Sequence, residues 1–263
     1  MRRIAHISDL HFGRHDPRKV AALLKSLAEN PAHLVAVSGD ITQRARNSEF
    51  AEARHYLDRI AAPVLVVPGN HDVPLYDLRR RFFKPFGKFN RHIAPTGVDE
   101  CIYSDEEMVV LGLNTARRFS WKNGRVSWDQ MAHIRQIFSH LPAERWKIVM
   151  THHPVAAAHG EARVELAGRS MLALRALADV GVHLLLSGHH HHPASGEAHA
   201  ELLLSGSVLV VHAGTAVSTR TRGLAGNSYN LIELEPGSAT VKIMAWSGDA
   251  FTEIQKTRYK VGQ

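Results

Sequence analysis

Val64-Leu65-Val66-Val67-Pro68-Gly69-Asn70-His71-Asp72 joins an apolar run with the make-up of a buried strand to a turn crowded with an amide, an imidazole and a carboxylate. Chemistry is thus placed on a strand's carboxyl end. The same transition occurs twice upstream, where Ile4 to Ser8 leads into Asp9-Leu10-His11 and Leu34 to Ser38 leads into Gly39-Asp40. It occurs twice downstream, where Ile148 to Met150 leads into Thr151-His152-His153-Pro154 and Leu184 to Ser187 into Gly188-His189-His190-His191-His192. Open α/β sheets bind ligands at the carboxyl ends of their strands, so five such ends are expected to converge in one site.

Between these strands the pattern turns helical. Asp16 and Pro17 make a good N-cap and first position for a helix over Val20 to Ala28. A second helix is expected from Ser48 to Ile60, with Phe50, Ala53, Leu57 and Ile60 facing inward. Ser127 and Gln130 have capping-box spacing and open a helix to about His140, and another covers Ser170 to Val180. This βα alternation predicts a largely parallel sheet. A hairpin is expected where Ile102-Tyr103 and Met108 to Leu113 flank Asp105-Glu106-Glu107. After His192 the pattern changes to strands: Ala198 to Leu204, Val208 to His212, Asn230 to Glu235, Thr240 to Ala245 and Thr252 to Tyr259. With turns at Gly206 and Pro236-Gly237, they are expected to form a second sheet.

Two segments fit neither period. Leu75 to Ile93 mixes Arg79, Arg80, Arg81, Lys84 and Lys88 with Phe82, Phe83, Phe86 and Phe89. Pro85 and Gly87 interrupt any long amphipathic helix there, so the aromatics are expected to pack over the sheet edge. Val155 to Gly168 follows His152 without clear periodicity and is expected to overhang the site.

With 263 residues, 44% of them hydrophobic, the chain is expected to form one domain over 1–263. No run of eighteen apolar residues suggests a membrane span, and Met1-Arg2-Arg3 leads into a strand rather than a signal peptide's apolar core. With a single cysteine, Cys101, an internal disulfide is excluded and a cytoplasmic location expected. Net charge is +7, which favours anionic partners such as a small phosphorylated substrate. The basic residues are dispersed, so no stable nucleic-acid complex is expected, and nothing in the pattern specifies an oligomeric state.

Asp9-x-His11, Gly39-Asp40, Gly69-Asn70-His71-Asp72, His152 and Gly188-His189-x-His191 resemble, in order, the motif set of the calcineurin-like metallophosphoesterases. The resemblance implies an α/β fold of two facing mixed β-sheets flanked by helices. It also implies two divalent cations, for which oxygen and nitrogen ligands suit Mn, Fe, Co or Zn. One would take Asp9, His11 and His191, the other Asn70, His152 and His189, with Asp40 bridging them, each carboxylate oxygen on one cation. A hydroxide shared by the metals would attack the phosphorus, and two cations ~3.5–4 Å apart would clamp the attacking and leaving oxygens. His71 would face the substrate phosphate, with Asp72 orienting it. The phosphoprotein phosphatases of this family support that histidine with an Asp three residues beyond the bridging Asp, and the purple acid phosphatases carry a ligand Tyr there; this chain has Gln43.

The resemblance is closest to the class III cyclic-nucleotide phosphodiesterase and glycerophosphodiesterase branch, which implies hydrolysis of a phosphodiester. Hydrolysis of lipid-linked or nucleotide pyrophosphates is the alternative within the family, and a non-catalytic metal-binding scaffold the alternative outside it. Arg44 and Arg46, just past Asp40, are candidate substrate anchors, with Arg220 and Arg222 open to the same reading.

Overall fold

The computed structural model describes residues 1–97, 101–158, 161, 164–198, 208–221 and 226–261. Its strands are β1 (Arg2–Ile7), β2 (Leu34–Ser38), β3 (Val64–Val67), β4 (Ile102–Ser104), β5 (Met108–Leu113), β6 (Trp146–Thr151), β7 (Leu184–Ser187), β8 (Ala194–Glu197), β9 (Leu209–His212), β10 (Ser228–Glu235), β11 (Ser238–Trp246) and β12 (Phe251–Lys260). The helices are α1 (Pro17–Glu29), α2 (Asn47–Leu57), α3 (Leu78–Phe83), α4 (Gly87–His92), α5 (Trp128–Phe138) and α6 (Ser170–Asp179). Asp16 caps α1 by accepting the Arg18 N–H, and Ser127 with Gln130 forms the capping box of α5. Helix α2 stops at Leu57, three residues short of its expected end, because the Ile60 N–H turns back to the Leu57 carbonyl.

Two mixed six-stranded sheets face each other, in the orders β12-β11-β10-β1-β2-β3 and β4-β5-β6-β7-β9-β8. Strands β1, β2 and β3 run parallel, as do β5, β6, β7 and β9. Alternation along each strand sorts the apolar side chains into layers. Ile4, Leu34, Val67, Ile148, Leu186 and Ile232 fill the space between the sheets. Ala5, Ile7 and Val37 face outward under α1 and α2, whereas Val149, Leu185 and Val210 pack under α5 and α6. Both faces of each parallel strand are therefore covered, which explains their continuous apolar runs. Each large side chain so buried contributes about 1.5–3 kcal/mol.

The C-terminal strands correct the expected topology. Rather than forming a second sheet, β10 pairs antiparallel with β1, from Arg2 opposite Leu234 to His6 opposite Asn230, and β11 and β12 extend that sheet. The reason is the open edge of β1: β2 and β3 are laid down on one side of it, and its remaining N–H and C=O groups need a partner. The second sheet is built instead from the middle of the chain, with β4 and β5 as the expected hairpin. Of the strand expected from Ala198 to Leu204, only Ala198 is described; its remainder, Gly206 and Arg222 lie outside the described residues.

The aromatic segment differs as well. Phe89 is fully buried, packing with Phe50, but Phe82 and Phe83 are exposed. The six-residue α3 presents one side only, and its buried position is taken by Arg81. Cys101 is buried and donates its S–H to the Val66 carbonyl across to β3. Among the described residues no helix is long and apolar enough to cross a membrane.

Candidate metal centre

The carboxyl ends of β1, β2 and β3 in one sheet and of β6 and β7 in the other bring their polar side chains into one cluster, so the convergence runs across two sheets. Five of the seven expected metal-binding residues have left-handed backbone: Asp9 at φ 52°, His11 at 49°, Asp40 at 50°, His189 at 75° and His191 at 61°. Non-glycine residues avoid this region, at a cost of order 1–3 kcal/mol each, and strain of this kind collects where function holds a residue in place. Two glycines permit the close approach. A Cβ on Gly69 would lie 2.1 Å from Asp40 Oδ1, and one on Gly188 would lie 1.9 Å from Ser8 Oγ.

In one half of the pocket, His191 Nε2 lies 3.0 Å from Asp9 Oδ1 and 3.2 Å from His11 Nε2, and His11 Nε2 lies 3.9 Å from Asp40 Oδ2. In the other, His152 Nε2 lies 3.4 Å from Asp40 Oδ2, 3.2 Å from Asn70 Oδ1 and 3.2 Å from His189 Nδ1. Donors placed about 2.0–2.2 Å from one cation sit at such separations from each other. Asp40 Oδ2 belongs to both halves. Its Oδ1 instead accepts the His71 N–H at 2.8 Å, so a single oxygen faces both groups rather than one oxygen facing each.

The surrounding bonds leave the ligand atoms pointing inward. His152 Nδ1 donates to the Ser38 carbonyl at 2.7 Å, which turns Nε2 toward Asp40, and His191 Nδ1 is bonded to the Arg220 carbonyl, which turns its Nε2 toward Asp9 and His11. Asp9 Oδ2 accepts from Ser8 Oγ at 2.6 Å and the His189 N–H at 3.0 Å; its Oδ1 is buried without a hydrogen-bond donor. An anionic oxygen buried beside imidazole nitrogens, His191 Nε2 at 3.0 Å, fits a cation. Burial opposes ionisation of both carboxylates, yet His191 holds Asp9, and His152 holds Asp40, below the usual range. Burial lowers His11 to about 4 and His189 to about 3. For His152 burial acts the same way, but Asp40 and Asp9 outweigh it and raise the imidazole to about 9. The pocket thus attracts positive charge at its centre, and its oxygen and nitrogen donors suit two divalent ions.

His71 stands beside this cluster, its ring 4.9 Å from that of His11. Its Nδ1 donates to the Gln43 carbonyl at 2.9 Å, so Gln43 does what Asp72 was expected to do, and a ring nitrogen of His71 lies within 4.8 Å of ligand atoms of His11 and Asp40. Asp72 is committed elsewhere: it accepts from the N–H groups of Ile41, Thr42 and Gly69 and from Thr42 Oγ1, at 2.9–3.2 Å. Burial and the Asp40 carboxylate push it up to about 6, whereas the donors of Gly69 and Thr42 favour its ionised form. It latches the Asp40 loop to the Asn70-His71 turn.

His153 has both ring nitrogens bound, to Thr115 Oγ1 at 2.8 Å and to the Lys122 carbonyl at 2.9 Å. Its lone pair is therefore not offered to a cation, although it lies close to His152 and His189. His190 Nε2 lies 3.3 Å from the Glu165 carbonyl, so the loop after His152 does reach the site. Arg46 is exposed at the start of α2, 4.0 Å from Glu49, and Arg44 lies over the Tyr76 ring. Arg220 comes nearer, reaching Gln43 Oε1 at 3.4 Å. Sequence reasoning missed Ser8, and Thr215 Oγ1, which holds the Asp9 carbonyl at 2.7 Å, lacked any decisive spacing.

A sequence model described as Calcineurin-like phosphoesterase matches residues 2–193. A relative from Enterobacter lignolyticus, glycerophosphodiester phosphodiesterase GpdQ, is 37% identical over 81 residues, covering 26% of this chain and 29% of the relative's own length. Among solved structures, a dimetal phosphatase from Danio rerio is similar over 99% of each chain, at TM-score 0.68 and 14% identity. A purple acid phosphatase from yellow lupin reaches 0.66 at 10% identity, over 98% of this chain and 53% of its own. Vps29 from Chaetomium thermophilum reaches 0.52 at 14% identity over the whole of both chains. These likenesses establish the fold.

Proposed function

The chain belongs to the calcineurin-like phosphoesterase family, which uses a dinuclear divalent metal centre, and from that membership we propose a metal-dependent phosphodiesterase. The observation that carries the reading is Asp40 Oδ2, shared by two convergent groups of ligand atoms. Asp9, His11 and His191 would hold one cation, and Asn70, His152 and His189 the other. When bound, two divalent cations supply charge for the phosphoryl oxygens and lower the pKa of water. The name of the Enterobacter relative supports a phosphodiester as the substrate class.

The chain's own part falls to His71. Held through Nδ1 by Gln43, its imidazole presents Nε2 to the substrate, where the protonated ring would donate to the leaving oxygen or to a phosphoryl oxygen. Arg220, through Gln43, and Arg44, through the same loop, place cationic side chains at the rim for the rest of the substrate. The test is hydrolysis of an aryl phosphodiester, a glycerophosphodiester, a cyclic nucleotide and a nucleotide pyrophosphate by metal-loaded protein. Asp40→Asn should lose activity and one of the two metals by elemental analysis, because a neutral amide is a poor bridge. Two retained metals with unchanged turnover would exclude Asp40 as the bridge, and turnover confined to the pyrophosphate would replace the diester.

A further inference from the structure

Segments 74–84 and 117–122 leave the metal pocket separately and meet outside it. Pro74 follows Asp72 by two residues, and the Lys122 carbonyl is bonded to His153, whose ring lies 4.8 Å from that of His152. Arg81, only 2% exposed, joins the segments by donating to the carbonyls of Pro74 at 3.0 Å and Ser120 at 2.6 Å, with its guanidinium 4.3 Å from the Trp121 ring centre. The Phe82 and Phe119 rings pack at 5.6 Å, and Arg118 donates to the Phe82 carbonyl. The result is a built platform rather than two loose loops.

That platform presents Tyr76 at 76% exposure, Leu78 at 52%, Phe83 at 81%, Phe119 at 73% and Trp121 at 55%. Scattered surface apolar residues need no explanation, but five large ones on two joined segments do. Exposed Arg79, Lys84, Arg118 and Lys122 stand among them. Residues 74–84 and 117–122 carry seven Lys or Arg against one acid, Asp77, a net +6 in a chain whose total is +7. The rest of the chain is therefore close to neutral, and most of its net positive charge resides here.

We propose that this platform seats the protein on an anionic lipid bilayer, its rings and Leu78 entering the boundary between headgroups and acyl chains while its cations meet the lipid phosphates. Single-stranded nucleic acid suits it less. Tyr76, Phe119 and Trp121 each already carry a guanidinium over the ring, from Arg44, Arg118 and Arg81, and Leu78 offers no face on which a base can stack. The seat is independent of the reaction catalysed, and its test reads binding alone.

The full-length protein is sedimented with vesicles of equal parts phosphatidylcholine and phosphatidylglycerol, with vesicles of pure phosphatidylcholine, and titrated with oligothymidylate. Binding should be strong only to the anionic vesicles and fall with salt. Phe83→Ser and Leu78→Ser should each weaken it roughly tenfold, and Arg79→Gln and Lys84→Gln about fivefold each. All four side chains are exposed, so the variants should keep the parent's melting temperature. Equal binding to neutral vesicles, no binding to anionic ones, or variants that bind vesicles like the parent would each overturn the proposal. So would loss of oligothymidylate binding in variants that still bind vesicles.

Discussion

Replacing Asp72 by Asn removes one of two acceptor oxygens at a point where every neighbour is a donor. Oδ2 receives the N–H groups of Ile41 and Gly69, and Oδ1 receives the N–H and hydroxyl of Thr42. If the new NH2 takes the Oδ1 place, the Thr42 hydroxyl can turn to accept from it, but the Thr42 N–H is orphaned. In the Oδ2 place it orphans two N–H groups. At 1% exposure water cannot replace the lost partner, so the least damaging arrangement costs about 1–3 kcal/mol. For a chain of this size that corresponds to a fall in Tm of roughly 2–12 °C. Asp72→Ala leaves three buried N–H groups without an acceptor, at a cost of order 3–9 kcal/mol, which approaches the whole stability of a typical domain, about 5–15 kcal/mol. The assay is thermal unfolding followed by circular dichroism, with metal content and turnover measured on the same samples. Because the latch joins the Asp40 loop to the Asn70-His71 turn, Asp72→Asn should also bind metal more weakly, and excess metal should restore most of its rate. The reasoning fails if Tm stays within about 1 °C of the parent and both metals are retained while turnover falls a hundredfold or more. Asp72 would then act on His71, as the motif alone suggests.

His71→Ala should keep both metals and lose roughly 10²–10⁴-fold in rate, with the smaller loss for a nitrophenol leaving group that hardly needs a proton. Equal losses for nitrophenyl and alkyl esters would leave charge stabilisation as its role, and loss of a metal would make it a ligand. Arg44→Ala should raise KM with metal content unchanged, whereas Arg46→Ala, which faces Glu49 and solvent, should change neither; the opposite ranking would refute the placement. Burial pushes the Cys101 thiol from its ordinary 9.0 to about 12. Below pH 9 both folded and unfolded chains keep the proton and nothing changes. Between pH 9 and 12 only the unfolded thiol ionises, so stability should fall by up to ~1.4 kcal/mol per pH unit, and Cys101→Ser should lack that slope in urea titrations.

Features closed between residues within about ten positions of each other were legible in the chain. The Asp16 cap, the Ser127–Gln130 box and the β4–β5 hairpin each close a local bond whose partners the sequence sets side by side. The motifs of the candidate metal site were legible for a related reason, since a strand's apolar run and the polar residues at its end are contiguous. What the chain could not reveal lies at long separation. His71 leans on Gln43 rather than on its neighbour Asp72, because Asp72 is drawn to N–H groups about thirty residues away on another strand's loop. Strands β10 to β12 look like a sheet of their own in sequence, and only the unfilled edge of β1, more than two hundred residues earlier, decides where they pair. Phe83 and Phe89 have the same side chain six residues apart. One is exposed and the other buried because burial is settled by which elements arrive on either side, and hydrophobicity by itself supplies an attraction to any apolar surface without choosing one.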